Sequence, residues 1–373
     1  MKLSRKEFIQ SGVLFGGGAM LSVFTAGATS RANNQWYMPD EGFDHKRTWM
    51  AFIASYDIWG TRQVPEVQRN LASIAKTIAK YEPVSMLVGR QDYEIAVELI
   101  GGLNAHNYPI ELIEFTMNDL WMRDTGPVFV VNEEGEKAAI NFNFNGWGED
   151  QDYQHDAKVA HFVAREAGVD SISSSLVLEG GCFEVDGEGT AIMTESCILN
   201  DNRNPGLGKA EVEAELKELL GLDKIIWLKG IKGKDITDGH TDFYARFAKP
   251  GTVVLSRDID ESSYDYPITR ENIDVLESAT DAQGRRLKTV ILDTPWDINT
   301  KYGINEFAAG YVGYYVCNGA LILQKFGDTQ ADGEAKEKLV DEFPDHEIEQ
   351  IAVDGIASGG GSIHCTTQQE PMI

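Results

Sequence analysis

Near the C-terminus, Gly359-Gly360-Gly361-Ser362-Ile363-His364-Cys365 places a cysteine directly after three consecutive glycines. Glycines permit backbone torsions that other residues resist and let a ligand come close, so Cys365 is a candidate nucleophile. A lone cysteine is usually an inert core thiol, so the reading needs a partner. A thiolate nucleophile requires an acid to protonate its leaving group and a base to activate water afterwards. His240, in Asp238-Gly239-His240-Thr241-Asp242, supplies such a group. On a strand, His240 and Asp242 point the same way and can share one pocket. His364 adjoins Cys365, but neighbouring strand residues face opposite sides, which favours His240 as the acid/base.

Two more carboxylates sit in similar settings. Asp124 lies in Trp121-Met122-Arg123-Asp124-Thr125-Gly126-Pro127, and Glu179 in Leu178-Glu179-Gly180-Gly181, each at the loop end of an expected strand. Three anionic groups around a thiol are ill suited to acyl transfer, because they raise the thiol pKa and repel an oxyanion. They suit a cation. Paired carboxylates can grip the planar fork of a guanidinium and leave its central carbon open to sulfur. Asp, Glu and His together can also hold a metal, but no HExxH or EF-hand spacing occurs, and neither metal nor other cofactor is expected.

The elements that must carry these loops alternate in a regular way. Residues 47–55 read as a buried strand, and 64–79 as a helix with Val67, Leu71, Ile74 and Ile78 on one face. Strands are expected at 84–88 and 110–115 with a helix at 92–100 between them, then strands near Val128 and Ile140. A helix at 156–167, a strand at 172–178 and a hairpin over 182–194 follow. Next come a helix at 211–220, strands at 225–228 and near Ala245 and Val253, a helix near Asn272 and a strand at Val290. Strands at Val312 and Leu321, a helix at 335–342 and a strand at 348–351 complete the series. The polar loop ends at Asp124, Glu179, His240 and Cys365 are 55, 61 and 125 residues apart, the last about twice the others. A missing loop end is therefore expected near Tyr302-Gly303-Ile304-Asn305. Five strand-strand-helix-strand units suggest radial closure with the loops gathered on one axis; an open α/β sheet would also collect loop ends at one edge.

The chain has 373 residues, 59 acidic and 33 basic, for a net charge of -26. So acidic a molecule is repelled by nucleic acid and by anionic lipid, whereas cationic small molecules or peptides are compatible partners. With 42% hydrophobic and 25% charged residues the chain is globular. Residues 1–30 stand apart: Lys2, Arg5 and Lys6 precede a Gly-rich apolar run ending in Ala26-Gly27-Ala28, the outline of an export signal cleaved after Ala28. Ser4-Arg5-Lys6-Glu7-Phe8-Ile9 resembles a twin-arginine signal with lysine as its second basic residue. A periplasmic or secreted protein without stable membrane insertion is expected, with residues 29–373 as one domain. Loss of residues 1–28 would leave 345 of the 373 residues and remove a net +2, giving -28. Cys182, Cys197, Cys317 and Cys365 are too scattered for a disulfide scaffold or a CxxC metal site. A Cys182–Cys197 bridge is not expected either, since a turn at 186–189 places Cys182 opposite about Thr194.

Five blocks, WMRDTGP (121–127), LEGGCFEVDGEGT (178–190), TESCILNDNRNP (194–205), TDGHTD (237–242) and GGGSIHCTTQQ (359–369), resemble the agmatine deiminase and bacterial-type peptidylarginine deiminase family. The resemblance runs from about Asp40 to the C-terminus. It implies the pentein fold, a five-bladed pseudo-symmetric α/β propeller of ββαβ-like units. It further implies Cys365 as nucleophile, His240 as general acid/base, Glu179 as the group orienting His240, and Asp124 with Asp242 as guanidinium clamps. Trp121 is placed with the substrate-binding residues. Relatives usually read GGGNIHC and YVNF, where this chain has Ser362 and Gly313, which bears on the far end of the substrate; the usual members are also cytoplasmic. The expected reaction is hydrolytic deimination of agmatine or peptidyl arginine through a covalent thiouronium. The rivals are an exported binding protein for cationic amines, which would not need a thiol after a triglycine loop, and amidino transfer. Oligomeric state is not legible.

Overall fold

In a computed structural model of the chain, the residues described are 35–299, 301 and 307–373. The expected signal and its cleavage point, and the loop end expected at residues 302–305, lie outside them. The described residues form one compact unit containing five separate sheets.

Each sheet repeats one arrangement, in which a strand pairs antiparallel with a second and a helical crossover then leads to a third, parallel to the second. β1 (His45–Phe52), β2 (Val84–Val88) and β3 (Ile110–Glu114) belong to the first sheet. β4 (Val128–Val131), β5 (Lys137–Asn141) and β6 (Asp170–Ser173) make the second; β7 (Phe183–Val185), β8 (Thr190–Thr194) and β9 (Lys224–Leu228) the third. β10 (Ala245–Lys249), β11 (Thr252–Arg257) and β12 (Lys288–Asp293) make the fourth; β13 (Tyr315–Cys317), β14 (Ala320–Lys325) and β15 (Glu347–Ala352) the fifth. The antiparallel partner of β1 is the last strand, β16 (Gln368–Pro371), with Trp49 opposite Gln368 and Thr48 opposite Gln369. The chain thus closes the ring by returning its end to the blade it began, which leaves no blade at an open end.

Burial explains the sequence pattern. The middle strands β5 and β8 are buried at every position because both faces are covered, so they read as continuous runs rather than as alternation. The helix Tyr56–Ile78 buries Val67, Leu71, Ile74 and Ile78 on the face expected from their spacing. Other crossovers are the helices Val159–Ala167, Lys209–Leu220, Asp265–Ser278 and Thr329–Glu342. The hairpin register pairs Phe183 with Met193, and all four cysteines are free thiols.

Two expected strands shift. Residues 174–178 lie beyond β6, where Ser174, Ser175 and the backbone of 175 turn onto Glu215 instead of continuing the ladder. The strand expected at Val312 begins at Tyr315, because residues 311–314 approach the C-terminal loop: His364 N donates to Gly313 O at 3.0 Å. Among the described residues no helix is long and apolar enough to cross a membrane.

Candidate active site

Every connection between one blade and the next reaches the same central cavity. Asp124 lies between β3 and β4, Glu179 between β6 and β7, His240 and Asp242 between β9 and β10, and Cys365 between β15 and β16. Of the connection between β12 and β13, Trp296 and residues 307–310 contribute to the wall. The cavity has a volume of about 1190 Å³, and Asp124, His240, Cys365 and Trp121 line it. Cys365 is two residues from Thr367, after which β16 begins, so the strand that closes the ring also anchors the thiol.

The local geometry departs from the expected strands. Residues Thr241–Phe243 and His364–Thr366 are single 3-10 turns, not extended segments. His240 and Asp242 reach the cavity because a tight turn, not a pleat, brings them round. His364 does face away from the cavity, as expected, but into a buried charge cluster. Asp124 sits in the helical turn Met122–Thr125, beyond the end of β3. Before His240, Asp238 adopts φ 60, the left-handed region, held by Arg203 Nη1 at 2.7 Å and Gly233 N at 2.7 Å.

His240 is set between three carboxylates. Its Nε2 is 3.3 Å from Glu179 Oε2, while Nδ1 is 3.9 Å from Asp124 Oδ1 and 3.9 Å from Asp242 Oδ1. Glu179 is itself fixed by Arg203 Nε at 3.0 Å. The imidazole can pack this closely because residue 181 is glycine: a Cβ there would lie 2.5 Å from His240 Nδ1. Burial disfavours the imidazolium, but Asp124 and Glu179 outweigh it and hold the His240 pKa well above its ordinary value.

The two cavity-facing carboxylates are each half satisfied. Asp124 Oδ2 accepts from Trp147 Nε1 at 3.1 Å, and Asp242 Oδ2 accepts from His364 Nδ1 at 2.7 Å. Their Oδ1 atoms are buried with no hydrogen-bond partner among the described residues. Buried unpaired carboxylate oxygens are costly, and two flanking one imidazole amount to a prepared cation site. Burial, with Asp242 and Glu179 nearby and against the pull of His240, raises the Asp124 pKa to about 7. Cys365 Sγ lies 3.8 Å from Asp242 Oδ2; burial and then Asp242 and Asp124 push its thiol pKa up, so the resting group is neutral.

The triglycine loop is filled differently from the expectation. A Cβ on Gly359 would meet the Trp59 ring at 2.2 Å, and one on Gly361 the Trp121 ring at 2.0 Å, so the closest neighbours are indoles. Both indole N–H groups donate to Asp119, at 2.8 and 3.0 Å, which locks the rings against the loop. Trp121 therefore offers the cavity only its ring.

Behind the site lies a second charge cluster. His364 Nε2 is 2.9 Å from Glu41 Oε2, which also takes Arg123 Nη2 at 3.1 Å; Arg246 Nη2 is 2.9 Å from Glu41 Oε1 and its Nε pairs with Glu184. Glu179, Cys182 and Cys197 place ligand atoms within 4.8 Å of one another. Glu179 already takes Arg203 and His240, and Cys182 Sγ donates to Glu179 O, which describes a hydrogen-bonded support for His240.

Comparison with known proteins places this arrangement. The model of the Porphyromonas-type peptidyl-arginine deiminase family matches residues 37–371. The chain belongs to that family. It is 36% identical over 369 residues to an agmatine deiminase of Ectopseudomonas mendocina, covering 93% of this chain and 98% of the relative. An agmatine deiminase of Stutzerimonas stutzeri is 36% identical over 358 residues, covering 90% and 95%. A solved structure of agmatine deiminase from Enterococcus faecalis superposes with a TM-score of 0.82 at 32% identity, covering 91% of this chain and 96% of that one. The five-bladed ring is the pentein fold.

The structure of this family member brings Asp124, Glu179, His240, Asp242, Cys365 and Trp121 together in or beneath one cavity. Sequence reasoning missed Trp147, Arg203, Asp119 and Glu41. Arg203 lay inside a quoted block, and the Asn145-Gly146-Trp147-Gly148 run, with Trp147 at φ 54, marks an unusual turn. Glu41 carries no local signal, since its partners are 82 residues and more away.

Proposed function

We propose that the protein hydrolyses a guanidinium group to a ureido group and ammonia. The observation that carries this is the pair of buried, unpartnered oxygens, Asp124 Oδ1 and Asp242 Oδ1, on either side of His240 and beside Cys365. A guanidinium bound there satisfies both carboxylates, and its charge removes what keeps the thiol protonated; the thiol proton passes to water. The Cys365 thiolate attacks the central carbon. His240, held protonated by its carboxylate neighbours, gives its Nδ1 proton to the departing nitrogen, ammonia leaves, and a thiouronium on Cys365 remains. Neutral His240 then takes a proton from water, the resulting hydroxide adds to the same carbon, and collapse expels the thiolate and yields the ureido product. Glu179, bonded to Nε2, keeps Nδ1 turned to the substrate.

The substrate best suited is agmatine, which gives N-carbamoylputrescine. The outer wall of the cavity carries Asp235, Asp258 and Asp265, with Lys234 as a basic residue beside them. That balance favours a distal ammonium and disfavours the α-carboxylate of free arginine. Relatives bearing the agmatine deiminase name support the same reading. Ammonia release measured with agmatine, free arginine and an arginyl peptide tests it: the highest kcat/KM is expected for agmatine. Release from none of them would remove the deiminase reading, and a preference for the peptide would move the activity to peptidyl citrulline formation.

A further inference from the structure

The electrostatics of the site leave one step without support. Cys365 must ionise and later depart as a thiolate, yet burial, Asp242 and Asp124 all disfavour the anion, and the deimination reading on which this inference rests uses guanidinium charge alone to oppose them. Once the product has formed that charge is gone. A donor fixed in the protein and aimed at the sulfur would act in both steps.

Such a donor is present. Ser362 Oγ lies 3.2 Å from Cys365 Sγ, and the serine is 2% exposed. No other partner is recorded for this hydroxyl among the described residues, so its proton has one direction in which to point. The placement is enforced from behind. A Cβ on residue 313 would sit 2.3 Å from Ser362 Cβ and 2.4 Å from its Oγ, so only glycine at 313 leaves the serine its position. The loop between them is pinned by His364 N to Gly313 O at 3.0 Å and by Ile363 N to Gln324 Oε1 at 3.3 Å. The groups facing the sulfur are Asp242, 3.8 Å away, Asp124 and His240 across the cavity, and Ser362. Of these, the serine hydroxyl is a neutral group able to donate whatever the protonation of the others.

We propose that Ser362 is a catalytic residue whose hydroxyl donates to the Cys365 sulfur, stabilising the attacking thiolate and the same thiolate when it is expelled, with Gly313 as the residue that makes room for it. Neither step changes the atom balance of deimination, since the serine proton stays on its oxygen. A hydrogen bond to a full charge is stronger than one to a neutral thiol, so the contact strengthens as the sulfur ionises.

The test compares wild type with Ser362→Ala, which keeps Cβ and removes only the hydroxyl. Iodoacetamide alkylation of Cys365, followed by peptide mass spectrometry from about pH 6 to about pH 10, reads the thiolate fraction. Ser362→Ala is expected to displace the profile to higher pH by about one unit, roughly a tenfold slower alkylation at any pH below the midpoint. Ultraviolet thiolate absorbance, taken as a difference against Cys365→Ala, should shift equally; lost packing alone would not move it. Gly313→Ala should shift the profile the same way by displacing the serine. Superimposed wild-type and Ser362→Ala profiles would overturn the proposal, as would a shift in Gly313→Ala alone. Alkylation needs no turnover, so protein that shows the shift but releases no ammonia would refute deimination and leave the role of Ser362 in ionising Cys365 intact.

Discussion

The molecule holds two buried groups of carboxylates on opposite sides of the Cys365 loop, and they are finished in opposite ways. At the rear, Glu41 and Glu184 are met by Arg123 and Arg246, with His364 bridging Glu41 to Asp242. At the front, Asp124 and Asp242 keep one oxygen each without a partner, facing a cavity. Buried charge normally persists only when compensated, so the rear is complete in itself and the front is complete only with a cation from outside. Asp242 belongs to both: one oxygen is spent on the fold, and the other is left for the ligand.

The comparison is broken most severely from the front. Asp124→Asn and Asp242→Asn remove charge without changing shape. Each should lower kcat/KM for agmatine by about 30-fold to several thousandfold, from the roughly 2–5 kcal/mol lost when one partner of a buried charged contact goes. Melting temperature should hold or rise, because no folded-state ion pair at the front is lost. A fall in stability with activity retained would make these acids structural.

The rear should respond in reverse. Arg246→Met leaves Glu41 and Glu184 without their guanidinium, and should cost about 3–5 kcal/mol of unfolding free energy. Equilibrium denaturation measures it. A loss of kcat/KM with no loss of stability would merge the two groups into one.

The next effect is a pH dependence. Burial, opposed by Arg246 and reinforced by Glu41, raises the Glu184 pKa to about 8 from 4.5. Between these values the folded state holds a proton that the unfolded state has lost, so stability falls as pH rises from about 5 through about 8. Asp156, raised to about 8 chiefly by burial, acts in the same direction. Glu184→Gln should therefore flatten the slope only in part, in thermal melts across this range. An unchanged slope would show that Glu184 stays ionised in the folded protein.

Smallest is the support of the cavity wall. Asp119→Asn keeps one acceptor for Trp59 and Trp121 but weakens their bonds; KM should rise by about two- to tenfold, from roughly 0.5–1.5 kcal/mol, with kcat little changed. An equal loss in kcat would give Asp119 a role in holding the Cys365 loop.

The front of the site was far more legible in the sequence than the rear. Asp124, Glu179, His240 and Cys365 each fall on a connection between blades, and the repeated strand-strand-helix-strand order sets those connections about sixty residues apart. The buried middle strands and the helix face of Val67, Leu71, Ile74 and Ile78 were readable for the same reason: periodicity records which faces are covered. The rear depends on contacts across the ring. Glu41 meets Arg123 and Arg246 from other blades, and nothing near Glu41 in the sequence announces them. Local turns were equally hidden, since a 3-10 turn at His364–Thr366 and a strand would show the same residues. The occupation of the triglycine loop by Trp59 and Trp121 followed from a distant indole, not from the glycines themselves.

The central claim is that the cation awaited by Asp124 and Asp242 is a guanidinium attacked by Cys365. Acid quenching during turnover of agmatine, followed by mass spectrometry of the intact protein and its Cys365 peptide, tests it most directly. The predicted result is an amidino adduct on Cys365 in the wild type and none, with no ammonia release, in Cys365→Ala. Ammonia release that persists in Cys365→Ala would contradict the account.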